Sequence, residues 1–429
     1  MTTLSPGVLS PLRVRNYRLQ WLADLFVSWS FEMEVMLLGW YVLTQSDSVF
    51  LMSVIGAMPF VGTLASPIFG MVGDRIGLRN LLCLMRAFYL MIAAMLLGSA
   101  LSGLLSVPVA MGLAAAMGLG RPSDLGVRTA LVANTVHAGI LPNAMGLSRT
   151  TFDSARVFGA LSGASIFAVF GLASAYMLVV ACYAAGLLLT LAITNPPSDD
   201  PGDGADAAAV LIAPPTSPLR ELLDGFGYVW RTPKLLAGMW LGCLVNFTAF
   251  PLSIGLMPYV ARNVLGADER VLGYLLASFA TGALVGSVII MVRRRPAEPA
   301  RAMIVWGVVW HLLLIAFAQT KSIELAMLTQ FGAGIAQSLS MLSLAVMLLQ
   351  VSERRLRGRV MGVRMMAIYT LPIGLMLAGV LIPVVGFPAL ATGYATIGLV
   401  LTIVIGLAWR RSLWHRPVVP GAPAGLAGE

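Results

Sequence analysis

Hydrophobic residues fall in long runs separated by short charged or glycine- and proline-rich breaks. Twelve runs are long enough to cross the hydrocarbon core of a bilayer as α-helices, which takes roughly 20 residues. They are residues 19–43, 49–71, 81–102, 106–127, 144–168, 172–194, 235–260, 271–292, 302–319, 323–350, 360–385 and 388–409. The pattern predicts an all-α integral membrane protein with twelve transmembrane helices. Residues 195–234 interrupt it. The stretch opens Asn195-Pro-Pro-Ser-Asp-Asp-Pro-Gly-Asp-Gly and turns Ala- and Pro-rich, which reads as a flexible linker. Within it, residues 219–228 are read as a short surface helix. Four regions follow: a six-helix half at 1–194, a cytoplasmic linker at 195–234, a second six-helix half at 235–410, and a cytoplasmic tail at 411–429, whose Pro-, Gly- and Ala-rich part after Trp414 reads as disordered.

The two halves repeat. Arg15-Asn-Tyr-Arg-Leu19 resembles Arg231-Thr-Pro-Lys-Leu235. Gly70 matches Gly286, Arg79 matches Arg295, Met145-Gly146 match Met361-Gly362, and Gly163 matches Gly379. Every pair is separated by 216 positions. Parallel six-helix repeats are one way a transporter builds two halves around a midplane site.

Charge changes the picture by orienting it. An even number of spans puts both termini on one side. That side receives Arg13, Arg15, Arg18, Arg75, Arg79, Arg128, Arg220, Arg231, Lys234, Arg293, Arg294, Arg295, Arg301, Arg354, Arg355, Arg357, Arg359, Arg410, Arg411 and Arg416; the other receives Arg262, Arg270 and Lys321. The positive-inside rule then places both termini in the cytoplasm. Of 429 residues, 58% are hydrophobic and only 11% charged, with net charge +9 and mean hydropathy +0.87. The basic excess is topological and is not read as nucleic-acid binding. Cys83, Cys182 and Cys243 fall inside apolar runs, which argues against a disulfide framework. His137, His311 and His415 are too dispersed for a metal site. No phosphate-binding loop and no Ser/His/Asp or Cys/His constellation appears, so neither ATP as energy source nor enzyme chemistry is indicated, and no cofactor is expected.

The turn between the second and third runs reads Gly70-Met-Val-Gly73-Asp74-Arg75-Ile-Gly77-Leu-Arg79-Asn80. An ordinary helix connection with topogenic charges would contain the same residue types. The spacing of Gly70, Asp74, Arg75, Gly77 and Arg79 resembles the signature loop between helices 2 and 3 of the major facilitator superfamily. Leu78 departs from that pattern, where the family often has a basic residue. The resemblance implies the major facilitator fold and a gate in which Asp74 grips the cytoplasmic end of helix 11 in one conformation. Ala144-Met-Gly with Gly159-Ala-Leu-Ser-Gly163, and Arg357-Gly-Arg-Val-Met-Gly362, are similar to the branch of enterobactin exporters and macrolide-efflux proteins. Ala160 stands where the antiporter motif has proline, and the arginine early in span 4 of many proton-coupled members is absent. Arg121 lies late in that span.

Charges inside spans are costly and usually face a cavity or a partner. Span 1 holds Asp24, Glu32 and Glu34. Glu32 and Glu34 lie about 200° apart around a helix, each about 80° from Asp24. The similar exporters place an acid near Glu32, which favours Glu32 for the cavity. Such a carboxylate either takes up a proton or binds a cationic substrate; alternatively it is a buried acid held by an arginine from another span. Arg149, Asp153 and Arg156 are spaced so that both arginines reach Asp153, which reads as local neutralisation. Arg121 and Asp124 are expected to neutralise each other, and Arg86 to snorkel toward the surface. Arg364, just inside span 11, is a candidate partner for Asp74 or another acid of the first half. The 216 offset puts Thr248 opposite Glu32. In span 10, Gln330, Gly334, Gln337 and Met341 share one face, open to a substrate or to helix–helix hydrogen bonding. Asn246 is a further candidate.

The sequence therefore leads to a monomeric secondary transporter of the inner membrane. The mechanism it suggests is rocker-switch alternating access with proton-coupled efflux of a drug-like or siderophore-like small molecule. Its partners would be that substrate, a proton and the lipid bilayer, with no nucleic acid and no metal. An importer or lipid-like carrier of the same fold is the near alternative, and a non-transporting membrane sensor the distant one.

Overall fold

The computed structural model describes residues 9–65, 72–73, 75–137, 139–194, 218–292, 298–353 and 356–414. Among them there is helix and connecting turn and no strand. The helices are α1 (Arg15–Ser46), α2 (Val49–Ala57, continuing as a 3-10 helix over Met58–Ala65), α3 (Leu78–Leu101) and α4 (Val107–Thr135). One long helical stretch, Leu141–Leu191, follows. It is two passages: Gly171 has φ 79° and ψ 177°, outside helical geometry. A glycine adopts that φ without a Cβ penalty, so the chain reverses there and α5 (141–170) gives way to α6 (172–191).

The second half contains α7 (Pro233–Phe250, prolonged by π-helical turns Pro251–Gly255 and Val260–Val264), α8 (Glu269–Val292), α9 (Pro299–Ala318) and α10 (Ile323–Val351). Then come α11 (Arg357–Ala367 and Thr370–Val385) and α12 (Phe387–Ala408). Gly386, with φ 79°, makes the turn between α11 and α12 as Gly171 does between α5 and α6. The repeat seen in the sequence is carried by whole elements. Val107–Thr135 and Ile323–Val351 are both 29 residues, displaced by 216 positions at each end. A linker helix, Pro218–Arg231, precedes α7.

Among the described residues, eight helices are long and apolar enough to cross a membrane, one of them the double passage. The other three passages have physical reasons for falling short. Span 1 carries Asp24, Glu32 and Glu34, and α4 carries Arg121, Asp124 and Arg128. In α2, the α-helical ladder tightens into 3-10 turns at Met58-Pro59, where proline has no N–H to give.

We call the face where α1 begins and α12 ends the terminal face, and its opposite the distal face. The halves meet toward the distal face. Gly379 of α11 seats Ser53 and Phe50 of α2, Gly56 of α2 seats Leu375, and Gly273 of α8 lies against Ala160 and Ala164 of α5. Small residues let backbones approach in this way. Gly163 and Gly379 share a register in the repeat but not a role: Gly163 meets Met33 and Met36 of α1 inside its own half.

Within the second half, α7 and α11 also approach closely. Pro251 has no N–H for the Phe247 carbonyl, and Gly374 packs against that oxygen. A Cβ on Gly374 would stand 2.2 Å from it, whereas a Cβ on Gly362 would meet nothing within 4 Å. Gly374→Ala is expected to destabilise the purified protein by about 1–3 kcal/mol through overpacking, with Gly362→Ala as the neutral control. Equal melting temperatures for the two variants would show that the α7–α11 seam has slack.

Candidate functional site

The buried acids and arginines fall in the first half, most of them in two clusters. The lower one starts at Asp24. Its carboxylate pairs with Arg86 of α3, whose side chain is fully buried, and lies 3.6 Å from Arg128 of α4. Arg86 also donates to Thr190 Oγ1 and, at 3.3 Å, to the Gly186 carbonyl of α6. Arg86 therefore does not snorkel. An acid within reach and two acceptors on α6 satisfy it where it stands. Arg128, counted above as a loop charge, is buried and pairs with Asp124 at 2.5 Å. It also donates to Ser28 Oγ at 3.0 Å. A cavity of about 60 Å³ opens beside Asp24, lined also by Ser28, Arg128, Ser148 and Thr151.

The second cluster lies one to two helical turns farther toward the distal face. Glu34 is 2% exposed. One of its oxygens accepts the Tyr183 hydroxyl of α6 at 3.0 Å; the other has no hydrogen-bond partner among the described residues. Arg121 of α4 stacks over the Phe31 ring, 3.0 Å from its centroid, and faces Tyr89 at 5.5 Å. Its Nε and Nη2 have no hydrogen-bond partner among the described residues. The expected Arg121–Asp124 pair does not form, because Asp124 reaches Arg128 one turn along its own helix. Glu34 and Arg121 border a cavity of about 30 Å³ lined also by Val35, Leu38, Pro59 and Met117. Gly120 leaves room for the Tyr89 hydroxyl, which would lie 2.9 Å from a Cβ at that position.

Glu32 points elsewhere, as a two-residue step on a helix requires. It lies against α5, where Gly159 admits its Cβ. Its carboxylate is 3.9 Å from Arg156 Nε, with one-fifth of its side chain exposed. Arg156 in turn stands 5.9 Å from the Phe279 ring of α8, so this pair sits on the seam between halves. Only Arg149 reaches Asp153, at 3.1 Å; Arg156 has turned to Glu32. The second Asp153 oxygen has no partner.

In the second half, Gln330 is fully buried and donates to the Leu252 carbonyl of the first π-turn at 3.5 Å. Its amide oxygen has no partner. Gln337 is buried on the same helix face. Asn246 is buried and bonds its own helix at the Gly242 carbonyl, 2.8 Å. Arg364 is half-buried at the start of α11, and among the described residues the charge near it is Arg149 of α5; its candidate partner Asp74 lies outside the described residues. One pair was not anticipated. Thr248, which replaces Glu32 in the repeat, shares a 3.1 Å hydrogen bond with His311 of α9. Both are buried, and His311 fills the space over Gly398 of α12. Tyr183 was also missed; a single tyrosine in an apolar run carries no signal of its partner.

Of the gate signature, Gly70 and Asp74 lie outside the described residues. Gly77 takes φ 83° at the start of α3, Arg75 is exposed, and Arg79 donates to the Leu191 carbonyl at the end of α6. At the distal face Arg262 crosses between halves, donating to the Leu43 carbonyl at 2.9 Å and to Asp47 at 2.7 Å. Asp47 holds the left-handed conformation, φ 54°, that ends α1. Exposed pairs contribute about 0.2–1 kcal/mol. Arg262→Ala is therefore expected to raise distal-side cysteine labelling by at most about fivefold. Unchanged labelling would show that the pair does not bias the two states.

A twelve-helix bundle of two repeats, closed against each other at one end and holding buried acids near the middle, is a major facilitator transporter. The chain belongs to the transmembrane secretion effector family of that superfamily, whose pattern matches residues 6–414. No curated protein sequence matches it. Solved structures with the same fold include a bacterial homolog of the human lysosomal transporter Spinster, inward-facing and unoccupied. That protein is 16% identical, with a TM-score of 0.67 over 92% of this chain and 95% of that one. A D-xylose–proton symporter aligns with a TM-score of 0.69 at 13% identity, covering 91% and 96%. A POT-family transporter bound to a thioalcohol-conjugated peptide gives 0.71 at 13%, covering 94% and 97%.

Proposed function

We propose that this chain exports a small, drug-like or siderophore-like molecule across the inner membrane by rocker-switch alternating access, in exchange for protons. Its termini lie in the cytoplasm, and it acts as a monomer. Two six-helix halves, 1–194 and 235–410, rock about the midplane site, joined by the linker. The secretion description of its family supports export. The arginine-rich terminal face supports the orientation, even with Arg128 removed from the count. The similarity to a proton symporter indicates that this architecture accommodates proton coupling.

The observation that carries the coupling is Glu34. It is a buried carboxylate with one oxygen held by Tyr183 and the other unpartnered, beside a cavity that also exposes unpaired Arg121 nitrogens. We infer that this carboxyl keeps its proton until a cationic group of the substrate enters the cavity and displaces it. Glu32 and Arg156, on the seam against α8, report the position of one half to the other. Asp24 and Asp153 are neutralised structural acids. Gln330, Gln337 and Asn246 face substrate or its water. Arg75, Gly77 and Arg79, with Gly70 and Asp74, form the terminal-side gate against α11, where Arg364 sits.

The test is uptake into sealed inverted vesicles over a compound panel. At least one compound should accumulate when the interior is acid, and an uncoupler should abolish it. Accumulation only in right-side-out vesicles would make the chain an importer.

A further inference from the structure

The linker helix Pro218–Arg231 has two faces that the transport cycle does not explain. One face packs on the start of α11. Gly225 lies against Arg359 and Val363, Val229 is buried, and Asp224 pairs with Arg359 at 3.2 Å. Tyr228 accepts the Glu353 amide at 3.3 Å. About a third of a turn around the helix from Gly225 and Val229, Leu223, Phe226 and Trp230 are 60%, 41% and 68% exposed. At 100° per residue these three fall within an arc of about 60°. Three large apolar side chains on one arc, one of them tryptophan, form a contiguous patch rather than scattered exposure.

The position of the helix says what covers it. Thr232 alone separates it from Pro233, the first residue of α7, so it lies at the membrane boundary. Arg231 and Lys234 flank the junction. An amphipathic helix with an aromatic face, adjoining cations and a membrane-boundary position matches an interfacial segment attracted to anionic headgroups.

We propose that this helix is an anchor whose Leu223–Phe226–Trp230 face inserts into the headgroup layer of the leaflet on the terminal side, with anionic phospholipid as its preferred partner. Through Asp224–Arg359 and Gly225 it holds the start of α11. Its relevance to gating rests on the transport reading above; its insertion does not.

The experiment places nitroxide labels one at a time at Leu223→Cys, Trp230→Cys and Asp224→Cys. The full-length chain carries them, with Cys83, Cys182 and Cys243 replaced, in nanodiscs of phosphatidylcholine with and without phosphatidylglycerol. Labels at 223 and 230 should collide more with oxygen and less with a water-soluble nickel chelate than the label at 224. Phosphatidylglycerol should widen the difference. Equal nickel accessibility at all three sites in both lipids would overturn the proposal. So would protection at 223 and 230 that persists in detergent and grows with protein concentration, which would mark a second copy as the occupant. A second arm changes Leu223, Phe226 and Trp230 together to serine, leaving Gly225 and Val229 in place. A label at Gly362→Cys in α11 should then become more mobile, and unchanged mobility would break the proposed hold on α11. None of these readouts needs transport, so a failed flux assay and a failed anchor are distinguishable.

Discussion

Replacing Glu34 by glutamine is expected to yield a folded protein that still exchanges substrate down its own gradient but no longer responds to a pH gradient. Glutamine keeps the size of the side chain, and its amide oxygen can accept the Tyr183 hydroxyl that Glu34 accepts at 3.0 Å. It cannot ionise. Arg121 keeps its stack over Phe31, 3.0 Å from the ring centroid, a favourable contact for a guanidinium. The neutral amide replaces a carboxyl that is itself protonated while the site is empty, so melting temperature should hold. Accumulation driven by an acid interior should fall to the level of vesicles without the protein. If Glu34→Gln transports with undiminished dependence on the gradient, the coupling acid is another residue, and Glu32→Gln is the next variant to assay.

Asp24→Asn is expected to do the opposite, damaging stability before mechanism. Arg86 is fully buried, and Asp24 is the only acid in salt-bridge distance of it among the described residues. Its remaining contacts, Thr190 and the Gly186 carbonyl, carry no charge. Removing one partner of a buried pair typically costs about 3–5 kcal/mol, because the other charge stays desolvated. The purified variant should melt markedly earlier or fail to accumulate in the membrane. Asp124 cannot compensate, since it already holds Arg128 at 2.5 Å. The double variant Asp24→Asn with Arg86→Leu removes the stranded cation and should recover much of the loss. A single variant as stable as wild type would show that water or a lipid headgroup already solvates Arg86.

The passage count, the 216-residue repeat and the turn regions were legible because period and length are one-dimensional signals. Even the break between the fifth and sixth spans, placed between residues 168 and 172, brackets Gly171. Pairings were not legible for the opposite reason. Arg86 and Asp24 are 62 positions apart and meet only once α1, α3 and α6 pack. The i, i+3 spacing of Arg121 and Asp124 suggested a pair, but Arg128 at i+4 won Asp124, and the Phe31 ring took Arg121. Helical geometry did separate Glu32 from Glu34: the first goes to α5 and the second to α6. Which of the two borders a cavity depends on the neighbours each helix face receives, and no periodicity in α1 encodes that.

The central claim is that substrate and proton compete for one buried carboxylate. The most direct measurement is proton release on binding, with purified protein in weakly buffered detergent solution and a compound identified in the vesicle panel. Wild-type protein should release protons as the compound binds, and Glu34→Gln should bind the compound and release none. Equal release from both proteins, or binding by wild type with no release at any pH, would contradict it.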